Sequence, residues 1–406
     1  MYDELKKKAE KALNKKPAIG EDIDLNAFKH DAPEYEYDPD LSKVMDEKEK
    51  EQLESIGIDI KRDTRAGSLI QTDHSVVQCN VKQDGIEILP MKEALKKYDW
   101  LKDYWWKAVS VDTDKFTAEA ELHFDNGYFI RAKKGVKTKF PLQTCLYIST
   151  DNLVQHVHNI IIAEEGAQLD IISGCATSHR VNSALHIGIS EFFVKKGGKI
   201  TFTMIHKWGE NIAVRPRSGT IVEEDGVFIS NYISFDKAKS LQMNPITNLN
   251  GRNATAIFSS IVFAPEGSNI DLGSRIFLNA ENSKAEIISR TVSSGGNVIA
   301  RGQLVGKAKD IKAHLECNGL MLKDKGYINA IPILEAHHNE VNMSHEAAVG
   351  KIAQEEIEYL MARGLTEEEA TSIIVRGFLN VKIEGLPEKL EKQIEQSLNE
   401  LQDKFF

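Results

Sequence analysis

The chain has 406 residues and 41% hydrophobic content, enough for a sizeable core, and its 51 Lys plus Arg against 61 Asp plus Glu give a net charge of −10. With no block of about five or six like charges and no basic stripe interleaved with aromatics, a nucleic-acid partner is not expected; no apolar run approaches the roughly 18 residues of a membrane span. The four cysteines, Cys79, Cys145, Cys175 and Cys317, are dispersed and none sits in a C-x-x-C pair. That excludes a disulfide framework or a zinc ribbon and favours a cytoplasmic protein.

Residues 1–112 are expected to form a helical and irregular region. Mixed-charge helix patterns lie near 3–14 and 45–55, separated by the loop-like acidic stretch KHDAPEYEYDPD. The first 16 residues alternate in charge sign with no apolar run behind them, unlike a secretory signal. The aromatic cluster KYDWLKDYWWKAV is the natural packing anchor of this part.

From 113 to 345 the composition turns to short alternating runs of Val, Ile, Phe and Thr, including TAEAELHF, HNIIIAEEGAQLDII and SALHIGISEFFVKKGGKITFTMI. This is the pattern of strands. Turn glycines recur at Gly166, Gly197, Gly226, Gly267, Gly296 and Gly326, at intervals of 31, 29, 41, 29 and 30. A near-constant period with units too short for a helical crossover favours stacked strand coils resembling a β-helix over a sandwich. An irregular antiparallel β protein with evenly spaced hairpins is the alternative. The long interval, which contains NPITNLNGRNA, suggests an inserted loop.

Beyond 345 a C-terminal helical region is expected through 406. KIAQEEIEYLMARGL spaces Ile357, Leu360 and Met361 as on a helix, with Gly364 as its left-handed cap. TEEEATSIIVRGF opens with Thr366 and Glu369 at capping-box spacing and sets Ile373, Ile374 and Phe378 on one face. A third, strongly charged helix is expected near 386–404. Such a helical hairpin outside the repeats would serve as a cap or as a docking surface for a partner.

Cys317 lies in HLECNGLML, where on an extended backbone it shares a face with Leu315 and opposes Glu316. By spacing alone it is a small buried hydrophobe, the alternative being a thiolate ligand or sulfur acceptor in a neighbourhood that depresses its pKa. His345 and Glu346 are adjacent and would point to opposite sides of a strand. The stretch around them, with His337, His338 and Glu340, is rich in groups that suit iron, although no motif spacing joins them to Cys317. Cys175, in SGCATSHR, reads as a turn-lining cysteine or as a relay thiol, with Arg180, His206, Arg215 and Arg217 as candidates to stabilise a persulfide anion. Neither a phosphate-binding loop, a dinucleotide fingerprint nor a G-x-S-x-G elbow occurs, so catalysis by this chain alone has no support.

Together, SHEAAVGKIAQEEIEYLMARGLTEEEATSIIVRGF, HLECNGLML and SGCATSHRVNSALH resemble the SufB/SufD family of iron–sulfur cluster assembly scaffolds, from about 120 to 380. The resemblance implies a right-handed parallel β-helix flanked by helical regions, paired with a second SufB or SufD subunit. It also implies binding through the C-terminal helices to the ATPase SufC. In SufB-like members cysteines matching Cys317 and Cys175 and a Glu matching Glu346 are linked to building the cluster and receiving sulfur; in SufD-like members the matching residue is a His that falls on His345. The chain departs from both types: it joins SufB-like Cys317 and Glu346 to a SufD-like AAVG tail, lacks an N-terminal C-x-x-C, and has His206 where SufB-like members have Gln ahead of the tryptophan, here Trp208. One chain holding both halves suggests a homodimer, with Cys317 of one subunit facing His345 of the other, twice by symmetry.

Three functions follow as expectations. The first is a scaffold that collects iron and sulfide from a sulfur donor into a transient cluster, passes it to apo-proteins and leaves ATP hydrolysis to a SufC-type partner. The second is a SufD-like adaptor that binds no cluster. The third is a β-helix carbohydrate-active enzyme, which would need paired acids at a groove.

Overall fold

A computed structural model describes residues 2–38 and 46–379; the helix expected at 386–404 lies outside them. The chain opens with α1 (Tyr2–Ala12) and α2 (Glu47–Ser55), the latter started by a capping box between Asp46 and Glu49. Sheet structure begins well inside the region expected to be helical and irregular. The strands β1 (Gly67–Thr72), β2 (Ser75–Val81) and β3 (Ile86–Pro90) precede α3 (Met91–Lys97).

TAEAELHF, read as strand, is instead the body of α4 (Lys115–Leu122). The Asp114 carboxylate accepts from the N–H groups of Phe116 and Thr117, and the Thr117 hydroxyl accepts from the Asp114 N–H. That reciprocal cap and the helix-favouring Ala118 and Ala120 outweigh the alternation of Ala118, Ala120, Leu122 and Phe124.

After β4 (Tyr128–Ala132) and β5 (Leu142–Ile148) the chain winds without interruption. The winding runs through β6 (Leu153–Ala163), β7 (Gln168–Thr177), β8 (Ala184–Val194), β9 (Lys199–Lys207), β10 (Ile212–Val214), β11 (Arg217–Val222) and β12 (Val227–Ser234). It continues through β13 (Ser240–Met243), β14 (Ile246–Leu249), β15 (Thr255–Pro265), β16 (Asn269–Leu278) and β17 (Lys284–Ser294). It closes with β18 (Asn297–Gly306), β19 (Ile311–Met321), β20 (Tyr327–Ala336) and β21 (Val341–Lys351), followed by α5 (Gln354–Met361) and α6 (Glu367–Leu379). The result is a mainly β molecule, 47% strand and 17% helix, built as a β-solenoid of about 8 turns with helices at its ends.

Each coil gives one strand to each of two parallel sheets. The first sheet runs β2-β1-β5-β7-β9-β12-β15-β17-β19-β21; the second runs from β3 and β4 through β6 and β8 to β16, β18 and β20, with β10/β11 and β13/β14 as split strands. From β4 and β5 onward, parallel neighbours are offset by 27 residues at the least (Gly219 with Ile246) and 31 at the most (Leu153 with Ala184), whereas β1 joins β5 at an offset of 75 (Gly67 with Leu142). No coil therefore contains an inserted loop. The long glycine interval has another cause: Gly226 turns the chain from the second sheet into the first, whereas Gly267 turns it from the first into the second. The marker glycine has moved to the opposite corner, one strand further on.

Alternation along the strands creates three apolar layers. The lumen is filled by inward residues of both sheets, including Leu169, Phe202, Phe228, Ile276 and Leu315. Over the outer face of the second sheet pack α1, α4 and the predicted aromatic anchor, with Trp105, Trp106, Phe116 and Phe129 buried there. The outer face of the first sheet is covered by Leu53 and Ile56 at one end and by Val375 and Leu379 of α6 at the other. Each such aliphatic or aromatic side chain contributes about 1.5–3 kcal/mol by its burial.

Candidate functional site

Cys175 on β7 points into the lumen and is paired in register with His206 on β9. His206 Nδ1 lies 3.0 Å from the Tyr232 hydroxyl, and its ring meets Trp208 and Tyr232 at centroid distances of 5.2 and 5.0 Å. Burial pushes the Cys175 thiol up to about 12 against a partial offset from the Ser173 hydrogen bond. Burial first, and the neighbouring His186 second, hold His206 well below its ordinary value. This end of the lumen thus holds a protonated thiol beside a neutral imidazole.

The arginines expected beside Cys175 are elsewhere. Arg215 and Arg217 follow the outward phase of the second sheet and lie at 5.6 and 5.2 Å from the Phe116 ring of α4. Arg215 is fully buried, donating to the carbonyls of Val214, Ser240 and Glu21 and to the Ser240 hydroxyl. Arg217 is paired with Asp114 at 2.8 Å. Arg180 is exposed and paired with Asp46 at 2.9 Å. These side chains fasten the helical layer onto the solenoid.

Cys317 on β19 also faces the lumen, five rungs from β7, which at ~4.8 Å per rung places it about 24 Å along the axis from Cys175. Burial, then the Glu316 charge, raises its thiol to about 11. The adjacent β21 is the last strand of its sheet, and His345 pairs with Leu315 while Ala347 pairs with Cys317. His345 therefore shares the face of Cys317, about 8 Å away between Cα atoms for a step of one strand and two residues. Within a single chain these two groups thus lie on one face of adjacent strands, whereas the resemblance implied a meeting across a dimer interface. Glu346 lies on the opposite face beside Glu316, whose carboxylate takes Arg290 at 2.5 Å and the Asn318 amide at 2.7 Å. His345 and Glu346 are both exposed.

Between the two thiols lies a lane that sequence reading missed. From Cys317 the same rung position carries Ser289, Ser260, Tyr232, Met204, Ser173 and Thr144 in turn. A cavity of about 40 Å³ opens beside it, lined by Tyr232, Phe258, Ser260, Leu272, Ser274 and Ser289 among others. Buried Ser289 Oγ, Thr291 Oγ1 and Trp208 Nε1 lack hydrogen-bond partners. Stepping back from Cys317 by one coil at a time would have found this lane.

The residues expected to dock a partner divide. Ile357 is buried, Leu360 and Phe378 are half-buried, and Met361 and Ile373 are 40% and 39% exposed beside Tyr359 at 57%. Phe378 packs against the apolar layer of the first sheet with Arg290 over its ring. No helix among the described residues is long and apolar enough to cross a membrane.

A family model for the SufBD core domain of SUF-system iron–sulfur cluster assembly matches residues 146–378. An iron–sulfur cluster assembly SufBD family protein of Methanothermobacter thermautotrophicus is 49% identical over 399 residues, 97% of each chain. One from Archaeoglobus fulgidus is 51% identical over 350 residues, covering 86% of this chain and 94% of its own. The iron–sulfur cluster assembly protein SufB of Bacillus subtilis is 31% identical over 379 residues, 90% of this chain and 81% of its own.

Proposed function

The chain belongs to the SufBD family of iron–sulfur cluster assembly proteins, and we propose on that premise that it is the scaffold on which a nascent cluster is built as cargo. Cys317 and His345 hold the cluster at the open end of the solenoid, and Glu346, on the opposite face of β21, is supplied as a further, exchangeable ligand by the second subunit. The placement of Cys317 and His345 on one face of adjacent strands carries this reading. One thiolate, one imidazole and one carboxylate grip a cluster less firmly than four thiolates, which suits transfer to apo-proteins.

Sulfur from a donor enters at Cys175 and travels past His206, Tyr232 and Ser289 to Cys317. At about 24 Å the thiols cannot exchange directly, so the unpaired lumen hydroxyls solvate the passage. The thiols are protonated at neutral pH, and each must lose its proton to react. A second copy, or a paralogue, joins at the exposed edges of β20 and β21. A SufC-type ATPase docks on Tyr359, Met361 and Ile373, and ATP hydrolysis resides there.

Anaerobic reconstitution with iron and sulfide tests the site. The unaltered chain should develop cluster absorbance and Cys317→Ser should lose it. Equal loading of Cys317→Ser would remove the site assignment, and unchanged loading of a Cys317→Ala, His345→Ala double variant would favour an adaptor that carries no cluster at these residues.

A further inference from the structure

Far from the Cys317 end, on the outer face of the second sheet, a second group of ligand-type side chains converges. Glu119 and His123 lie one turn apart on α4 and at its C-terminal cap, with the His123 N–H bonded to the Glu119 carbonyl. His156 comes from the outward phase of β6. His30 comes from an extended segment that completes the sheet beside the start of β6, where the Lys29 N–H donates to Asn152 O at 2.8 Å and Lys29 O accepts from the Val154 N–H at 2.9 Å. Six rungs, roughly 29 Å at ~4.8 Å each, separate β6 from β20.

One carboxylate oxygen is the focus of three imidazoles. Glu119 Oε1 stands 3.6 Å from His30 Nε2, 3.8 Å from His123 Nε2 and 3.8 Å from His156 Nε2. The ligand atoms of His30, Glu119 and His156 all lie within 4.8 Å of one another. Ligands about 2.1 Å from a tetrahedral ion are about 3.4 Å apart, so a small inward movement satisfies it.

A second observation points to a ligand. His156 is 1% exposed, yet its Nε2, aimed into the group, has no hydrogen-bond partner. Its Nδ1 lies 3.3 Å from Asp125 Oδ2, which fixes the ring with Nε2 turned towards Glu119. Asp125 is itself anchored by His74 at 2.9 Å, and His74 Nε2 lies 2.8 Å from the His30 carbonyl, tying the two sides of the group together. The side chains of His30 and His123 are 42% and 48% exposed, against 7% for Glu119, so the group is open to solvent on one side.

We propose that His30, Glu119, His123 and His156 bind one divalent first-row transition metal ion, with Asp125 orienting His156. Two or three imidazoles with one carboxylate and an open side suit iron(II) as well as zinc and cobalt. The open side makes the ion exchangeable. This site is independent of the cluster reading at Cys317 and stands if that reading fails.

The full chain, free of any polyhistidine tag and stripped of metal, is titrated anaerobically with cobalt(II), followed by visible d–d absorbance, with iron(II) and zinc(II) as competitors. One equivalent should bind in the unaltered chain and equally in Cys317→Ser. His30→Ala and His123→Ala change exposed side chains and should keep the fold by circular dichroism while weakening cobalt binding about 10- to 100-fold, as should Glu119→Gln. Folded His30→Ala and His123→Ala that bind as tightly as the unaltered chain, or a cobalt equivalent that disappears in Cys317→Ser, would overturn the proposal.

Discussion

The two ends of the solenoid are made from the same coil and finished in opposite ways. At the N-terminal end each sheet is stopped by a reversed strand, β2 antiparallel to β1 and β3 antiparallel to β4, and the helical layer with its tryptophans covers the outside. At the C-terminal end β20 and β21 stay parallel to their neighbours and no strand among the described residues covers their outer edges. Tyr327, Ile333, Leu334 and Val349 are exposed there. A parallel stack offers a growing edge unless something reverses the last strand or covers it. One end is sealed, and the other leaves apolar side chains of its last strands exposed.

The seal is where a single change should cost most. The fully buried Glu191 carboxylate accepts from the N–H groups of Trp106 at 2.7 Å, Ala108 at 2.5 Å and Val109 at 3.1 Å, and lies 2.8 Å from His158 Nε2. It thereby holds Trp106 at its left-handed φ of 56°. Glu191→Ala strands these donors, and denaturant unfolding should show a loss of about 3–5 kcal/mol. A loss below about 1 kcal/mol would mean that the aromatic layer holds without it.

The open end should behave in the contrary sense. Leu334→Glu with Val349→Glu places like charges on the exposed edges, so the pairing proposed for these edges should be lost, read as a native mass falling to that of one chain, while stability shifts by no more than about 0.5 kcal/mol per site. A doubly charged variant that still dimerises would move the interface elsewhere and leave the exposed edges unexplained.

What was legible in the sequence follows the range of the interactions. The Thr366–Glu369 capping box and the positive φ of Gly364 at 97° depend on residues three apart or fewer, and both stand as expected. The coil period was legible because glycine marks its turns, until the marker changed corners after Gly226. The strand β1 was not, because it is buried on both faces and shows no alternation. The same cause hid the true direction of Arg215 and Arg217: with both faces of the sheet covered, nothing local separates lumen from exterior. The Glu346 and His345 divergence was readable from adjacency, but the sharing of one face by His345 and Cys317 required the register of β19 with β21. The histidine group joins residues 30, 119, 123 and 156, of which only Glu119 and His123 are neighbours on an element.

Thiol reactivity sharpens the comparison of the ends from inside the lumen. Burial raises both thiols, Cys317 to about 11 and Cys175 to about 12. A raised pKa leaves little thiolate at neutral pH, so alkylation of Cys317 should climb about tenfold per pH unit from 7 to 10 without a plateau. Cys175, deeper in the sealed part, should lag at every pH, as peptide mapping of alkylated protein would register. Equal labelling of the two would mean that the lumen opens along its whole length rather than from the C-terminal end.

The smallest effect concerns how far the open end extends. The Thr366 hydroxyl accepts from the Glu369 N–H at 3.2 Å and the Glu369 carboxylate accepts from the Thr366 N–H at 2.8 Å, both at the exposed start of α6. Further along, Val375 and Leu379 pack on the first sheet, where α6 lies against β17. Thr366→Ala should therefore cost about 0.5–1 kcal/mol. If α6 opens by itself, that cost should appear as roughly two- to fivefold faster hydrogen exchange confined to α6, with the lumen strands unchanged. Faster exchange spread equally through β17 and β19 would instead make α6 part of the same cooperative unit as the coils that carry Cys317, and the open end would then begin beyond it.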